Sequence, residues 1–156
     1  MSKAGIDNAG VKIAPPILLL LHLLAAWVLN RLYPWPDAMP GGQRWAGVLL
    51  AAAGVALILL AVRRMVLKGT TYHPNGSVSA LVTDFPFRFS RNPIYLGYAL
   101  MLAGISITAG SYWGAVLCLP FMLLMVQLVI RYEEAYLARR FGQAYLQYIT
   151  RVRRWL

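Results

Sequence analysis

Unbroken apolar runs separated by short polar stretches dominate the chain, and strand-like alternation accounts for little of its hydrophobicity. Residues 16–32 form the first run, opened by Pro15 and Pro16. Proline is tolerated in a first helical turn because its missing N–H would be unpaired there anyway. A stretch rich in proline, glycine and tryptophan fills 33–45, a composition suited to a turn at a membrane interface. The second run, 46–62, ends at Arg63, Arg64 and Lys68. From Ile94 to Ile130, 37 residues carry no charge, nearly twice the roughly 20 that cross a bilayer as one helix, so this run must fold back. The best break is Thr108-Ala109-Gly110-Ser111, which gives spans over 94–108 and 111–130, the first of them short for a crossing. Pro120 inside the last span predicts a kink. The pattern therefore predicts an all-α membrane protein, a single domain over 1–156 with about four transmembrane helices. The last two form a hairpin, a cytoplasmic loop occupies 63–93, and an amphipathic cytoplasmic helix covers 131–150.

Composition agrees: 60% of residues are hydrophobic and 13% charged, against about a quarter charged in a soluble domain. The formal charge of +10 raises the question of nucleic acid, but the cations flank the apolar runs instead of lying on a soluble face with aromatic platforms. With a cytoplasmic N-terminus, 13 Lys and Arg fall inside and only Arg31 and Arg44 outside, so the positive-inside bias places both termini and the long loop in the cytoplasm. A bacterial inner membrane fits this reading. The first run follows Lys3 and Lys12 as a signal peptide would, yet lacks a small-x-small cleavage site and is read as an uncleaved span. Cys118 is the only cysteine, which excludes an intrachain disulfide and a Cys-based zinc site. No metal is expected.

Beyond Arg131, Leu137, Phe141, Tyr145, Tyr148 and Val152 recur four, four, three and four residues apart, an apolar stripe on a helix. Such a stripe with cations around it reads most simply as an interfacial anchor on anionic lipid. An anchor does not call for Glu133 and Glu134, the only glutamates, at the membrane end of the last span. A carboxylate there is costly unless it pairs or binds something. A second polar feature is Arg88-Phe89-Ser90-Arg91-Asn92-Pro93-Ile94-Tyr95-Leu96-Gly97, where a cationic loop meets a helix start. Asn92 suits the cap position and Pro93 the first turn, and unpaired N–H groups beside Arg88 and Arg91 suit a carboxylate or phosphate.

The segment R-N-P-I-Y-L-G at 91–97, followed by E-E-A-Y-L-A-R-R-F-G-Q-A-Y-L-Q-Y at 133–148 and by Val152-Arg153, resembles the isoprenylcysteine carboxyl methyltransferase and phospholipid methyltransferase superfamily. The likeness runs from about Thr70 to the C-terminus. It implies an integral membrane enzyme that uses S-adenosylmethionine. His73, Arg91, Asn92, Pro93, Tyr95, Leu96 and Gly97 would lie around the cofactor, and Glu133 and Glu134 would supply its acidic side. The sequence departs from the superfamily pattern at Asn92, where histidine is frequent, and at Phe85, where glycine is usual.

The cofactor's own chemistry makes matching demands: an acid for its ammonium, a cation or helix start for its carboxylate, and aromatic faces for its sulfonium. Glu133 or Glu134, Arg91 with the Pro93 turn, and Tyr95 or Tyr98 meet them. The acceptor is expected to be a lipid or other lipophilic molecule among membrane lipids. A carboxylate acceptor needs only a cation, for which Arg131 and Arg153 are candidates; an amine or thiol must lose a proton, and Glu133 or Glu134 would be the base. The alternative is a non-catalytic membrane scaffold that binds anionic lipid, which explains the arginines but not the paired acids. A two-histidine haem is disfavoured, since His22 and His73 stand at different depths.

Overall fold

A computed structural model describes residues 9–35, 41–70 and 78–156, whose regular elements are helices, with no strand among them. The helices are α1 (Pro15–Leu32), α2 (Gly41–Leu67), α3 (Pro93–Thr108), α4 (Trp113–Met125), α5 (Arg131–Phe141) and α6 (Gln143–Arg151). The α1 and α2 helices, and the continuous run Trp113–Phe141, are long and apolar enough to cross a membrane. The 16-residue α3 is shorter, about 24 Å at 1.5 Å per residue. Along α2 only Gly47, Gly54 and Ala61 are buried, and Leu49 is 70% exposed. Water tolerates no such surface, so lipid covers it.

The short helix is the central one. Tyr95, Ala99 and Leu102 of α3 share the core with Leu18 and Leu19 of α1 and with Phe121, Met125, Val129 and Ile130 of the last run. Two glycines on α3 and two on α2, each pair seven residues apart and hence on one helix face, bring these antiparallel helices into backbone contact. A Cβ at Gly97 would lie 2.7 Å from the Gly54 carbonyl oxygen, and one at Gly47 would lie 2.8 Å from that of Gly104. Small residues are how helices approach closely in lipid, where no hydrophobic drive separates side chains from solvent. His22 also serves packing: Nδ1 lies 2.8 Å from the Leu18 carbonyl, and the ring meets Phe121 edge-on at 5.3 Å.

The reversal between α3 and α4 falls at Ala109–Tyr112. Gly110 takes φ +82°, and Ser106 Oγ accepts the Gly114 N–H at 2.9 Å. Pro120 lies inside α4 without ending it; the irregular turn of the run is a π turn further on, at Val126–Ile130. A π turn disturbs the i→i−4 ladder, and the Leu128 carbonyl here accepts the N–H of Lys12 at 3.1 Å, docking the N-terminal segment.

Two sequence expectations change. No helix begins at 131, because α5 continues the last span through the π turn. The segment expected as one helix over 131–150 is two, broken at Gly142, whose φ of +51° is open to glycine and costly for other residues. The aromatic stripe survives this break but does not lie on lipid. Tyr145, Tyr148 and Val152 are buried against Leu81, Leu137 and Phe141 within the protein.

Candidate active site

The start of α3, the stretch Glu133–Leu137 of α5, two tyrosines of α6 and the loop at 78–82 border a partly open cavity of about 130 Å³ beside the membrane end of the bundle. Each wall has a local cause. Pro93 opens α3 and is fully buried, and the Asn92 carbonyl accepts the Leu96 N–H at 3.0 Å, so Asn92 occupies the cap position. Its side chain does not cap the helix as expected. Asn92 Nδ2 donates instead to the Arg154 carbonyl at 2.9 Å, and Ser90 Oγ reaches the same oxygen at 3.3 Å. With the Arg91 N–H on the Arg153 carbonyl at 3.0 Å, these bonds clasp the C-terminal segment onto the turn before α3.

The two glutamates are held differently. Glu134 pairs with Arg154 in a fork, Nε to Oε1 at 3.0 Å and Nη2 to Oε2 at 2.7 Å, while Arg91 Nη1 stands 3.2 Å from Oε1. Two guanidiniums thus neutralise one carboxylate, and hydrogen bonding to Glu134 raises the Arg154 pKa further. Glu133 accepts one hydrogen bond among the described residues, from the Tyr95 hydroxyl at 2.5 Å. Among the described residues, the Nε atom of Arg91 is buried with no hydrogen-bond partner. A buried donor left unsatisfied costs on the order of 1–3 kcal/mol, so this atom calls for an acceptor.

Tyrosines finish the wall. The Tyr136 hydroxyl accepts the Val78 N–H at 3.1 Å and the Tyr148 hydroxyl donates to the Phe87 carbonyl at 2.7 Å, so both loops hang from α5 and α6. Burial pushes the Tyr145 hydroxyl up to about 12 and that of Tyr148 upward as well, so both stay protonated at neutral pH. Changing Tyr148 to Phe removes the donor to Phe87, and a loss of about 1 kcal/mol in unfolding free energy is expected, read from thermal unfolding in detergent.

Of the residues singled out in the sequence, Arg91, Asn92, Pro93, Tyr95, Glu133 and Glu134 line the cavity. Leu96 and Gly97 are not among its lining residues, and Gly97 faces Gly54 and Ile58 of α2. Arg131 bonds Gln127 at 2.6 Å on the exposed side of its helix, and the Arg153 side chain is exposed. His73 lies outside the described residues. Tyr98 neighbours Tyr95, ring centroids 6.3 Å apart, but does not line the cavity. The chief residue missed was Arg154, because the sequence pattern carries Val152 on a helical stripe. The chain is instead extended at Val152, so alternate residues share a side, and with Val152 buried Arg154 turns in to Glu134 while Arg153 is exposed. Tyr136 and the loop Val78–Val82 carried no signal in the sequence.

A helical bundle with three helical runs long and apolar enough to cross a membrane defines an integral membrane protein, with a cavity bordered by Arg91 and the paired glutamates as its candidate site. More narrowly, the chain belongs to the phospholipid methyltransferase family, whose family model matches residues 43–144. It is 31% identical over 101 residues to the phosphatidyl-N-methylethanolamine N-methyltransferase of Saccharomyces cerevisiae strain S288c, a match that covers 62% of this chain and 48% of the relative. The chain thus spans about half the length of the curated relative it matches. No solved structure matches it.

Proposed function

We propose that the protein transfers a methyl group from S-adenosylmethionine to the amino headgroup of a phospholipid at the cytoplasmic membrane face. Family membership and the reaction in the yeast relative's name support the reaction type and the amine acceptor. The charge asymmetry of the sequence supports the cytoplasmic side. The observation that carries the reading is the unequal pairing of the two acids around one buried guanidinium nitrogen, Arg91 Nε, that has no hydrogen-bond partner among the described residues.

The residues fit the cofactor, which when bound supplies an electrophilic methyl on a sulfonium. Glu133, steadied by the Tyr95 hydroxyl, has capacity for an ammonium, and Arg91 Nε is a ready donor for a carboxylate. Glu134 is committed to Arg91 and Arg154 and fixes their positions. Leu81, Val82, Phe87 and Leu137 give the apolar slot that an adenine needs and help exclude water. Displacement at a methyl carbon gains most from alignment and from exclusion of water, to which these apolar walls contribute.

The purified protein is to be incubated with methyl-labelled cofactor and three acceptors: phosphatidylethanolamine, its monomethyl derivative and a prenylcysteine. Label in an acid- and base-stable phospholipid headgroup is the expected result. Label only in a base-labile ester would replace the amine by a carboxylate acceptor. Calorimetry with the cofactor giving no saturable heat would leave the lipid-binding scaffold as the better account.

A further inference from the structure

The two arginines of the turn before α3 point to different tasks. Arg91 turns inward to Glu134 and the cavity, whereas Arg88 is exposed. Among the described residues Arg88 has no carboxylate or hydrogen-bond partner. Its guanidinium contacts two phenyl rings, at 4.7 Å from the Phe89 centroid and 6.0 Å from that of Phe85. The rings meet edge to face at 6.1 Å and are themselves 44% and 56% exposed at Phe85 and Phe89. We propose that Arg88, flanked by Phe85 and Phe89, is the docking point for the phosphodiester of a bilayer glycerophospholipid beside the cavity. As the acceptor's docking point, it rests on the function proposed above.

Three features support this occupant. A guanidinium lying against aromatic faces keeps its N–H edge free, and that planar fork matches two oxygens of a phosphate. Asp84, next to Phe85, is bound to Arg64 Nε at 3.2 Å and Lys68 Nζ at 3.5 Å, which ties the turn to the end of α2. The α2 helix ends at Leu67, so Phe85 and Phe89 stand where a lipid-covered span gives way to headgroups, the level that exposed aromatic rings and cations favour. The turn is also fixed from the other side, since Phe87 is bound by Tyr148 and lines the cavity. Phe87, the residue before Arg88, lines the cavity, so a phosphate on Arg88 sits one residue along the chain from the cavity wall.

The test uses the full chain in phosphatidylcholine nanodiscs with a phosphatidylethanolamine probe carrying a diazirine at the headgroup. Photolabelling is mapped to peptides. Labelling of the peptide that contains residues 83–91 is expected, with a fall of about tenfold in Arg88→Gln, the scale of one charge-assisted pair, and a smaller fall in Arg88→Lys. A diacylglycerol probe with its diazirine at the same depth should leave the peptide unlabelled. Equal labelling of wild type and Arg88→Gln, or equal labelling by the probe without phosphate, overturns the proposal. Saturable cofactor binding, unchanged in Arg88→Gln, confirms that the variant is folded. Labelling as expected without methyl transfer would count against the proposed reaction and leave the docking point standing, whereas methyl transfer with Arg88-independent labelling would do the reverse.

Discussion

Glu133→Gln is expected to weaken S-adenosylmethionine binding by roughly 10- to 100-fold, the cost of losing a hydrogen bond to a charged group in a partly open cavity, with little change in thermal stability. The amide keeps the shape and still accepts from the Tyr95 hydroxyl, so the fold has little reason to respond. Glu134→Gln should behave differently. It strips the counter-charge from both Arg91 and Arg154, and the C-terminal clasp depends on those side chains as well as on backbone bonds. Its main expected effect is therefore a lowered unfolding temperature, accompanied by weaker binding. Calorimetry and thermal unfolding of the two variants side by side check the distinction. Equal affinity of Glu133→Gln and wild type would remove Glu133 from the cofactor site.

Gly104→Leu is expected to cost more than about 3 kcal/mol, or to prevent assembly of the bundle, because overpacking here meets backbone instead of a movable side chain. A Cβ at this position runs into the Ala51 amide and lies 2.7 Å from the Gly47 carbonyl oxygen. The α2 and α3 helices would have to separate along their whole contact, carrying the first turn of α3 away from the cavity. Gly42→Ala is the matched control. It lies in the first turn of α2 with nothing within 4 Å of an added Cβ, and its unfolding should match wild type. Size-exclusion profiles and thermal unfolding in detergent measure both.

The fold class was legible because the bilayer imposes it: uncharged runs of known length must be helices, and a run of 37 residues must reverse. The meeting of the Arg91–Tyr95 segment with the paired acids was legible too, through chemistry that is costly without partners. What sequence reading lost was angle. Reading Arg91 to Gly97 as one contiguous patch overlooked that a helix turns away from any single cavity, so Tyr95 faces in and Gly97 faces α2. The same loss of angle hid Arg154 and favoured Arg153. The aromatic stripe was visible by its spacing, but its partner was not, because Leu81 belongs to a loop with no periodic pattern.

The π turn at Val126–Ile130 bears on how the acids are aimed. One surplus residue in a helix rotates everything beyond it by about 100° relative to everything before. The lipid-facing Leu119 and Leu123 and the inward Glu133 therefore belong to one rod whose two halves are set at an offset bearing. Lys12 donates its N–H to the Leu128 carbonyl at that joint, so the chain's opening segment is fastened at the place where the two halves change bearing.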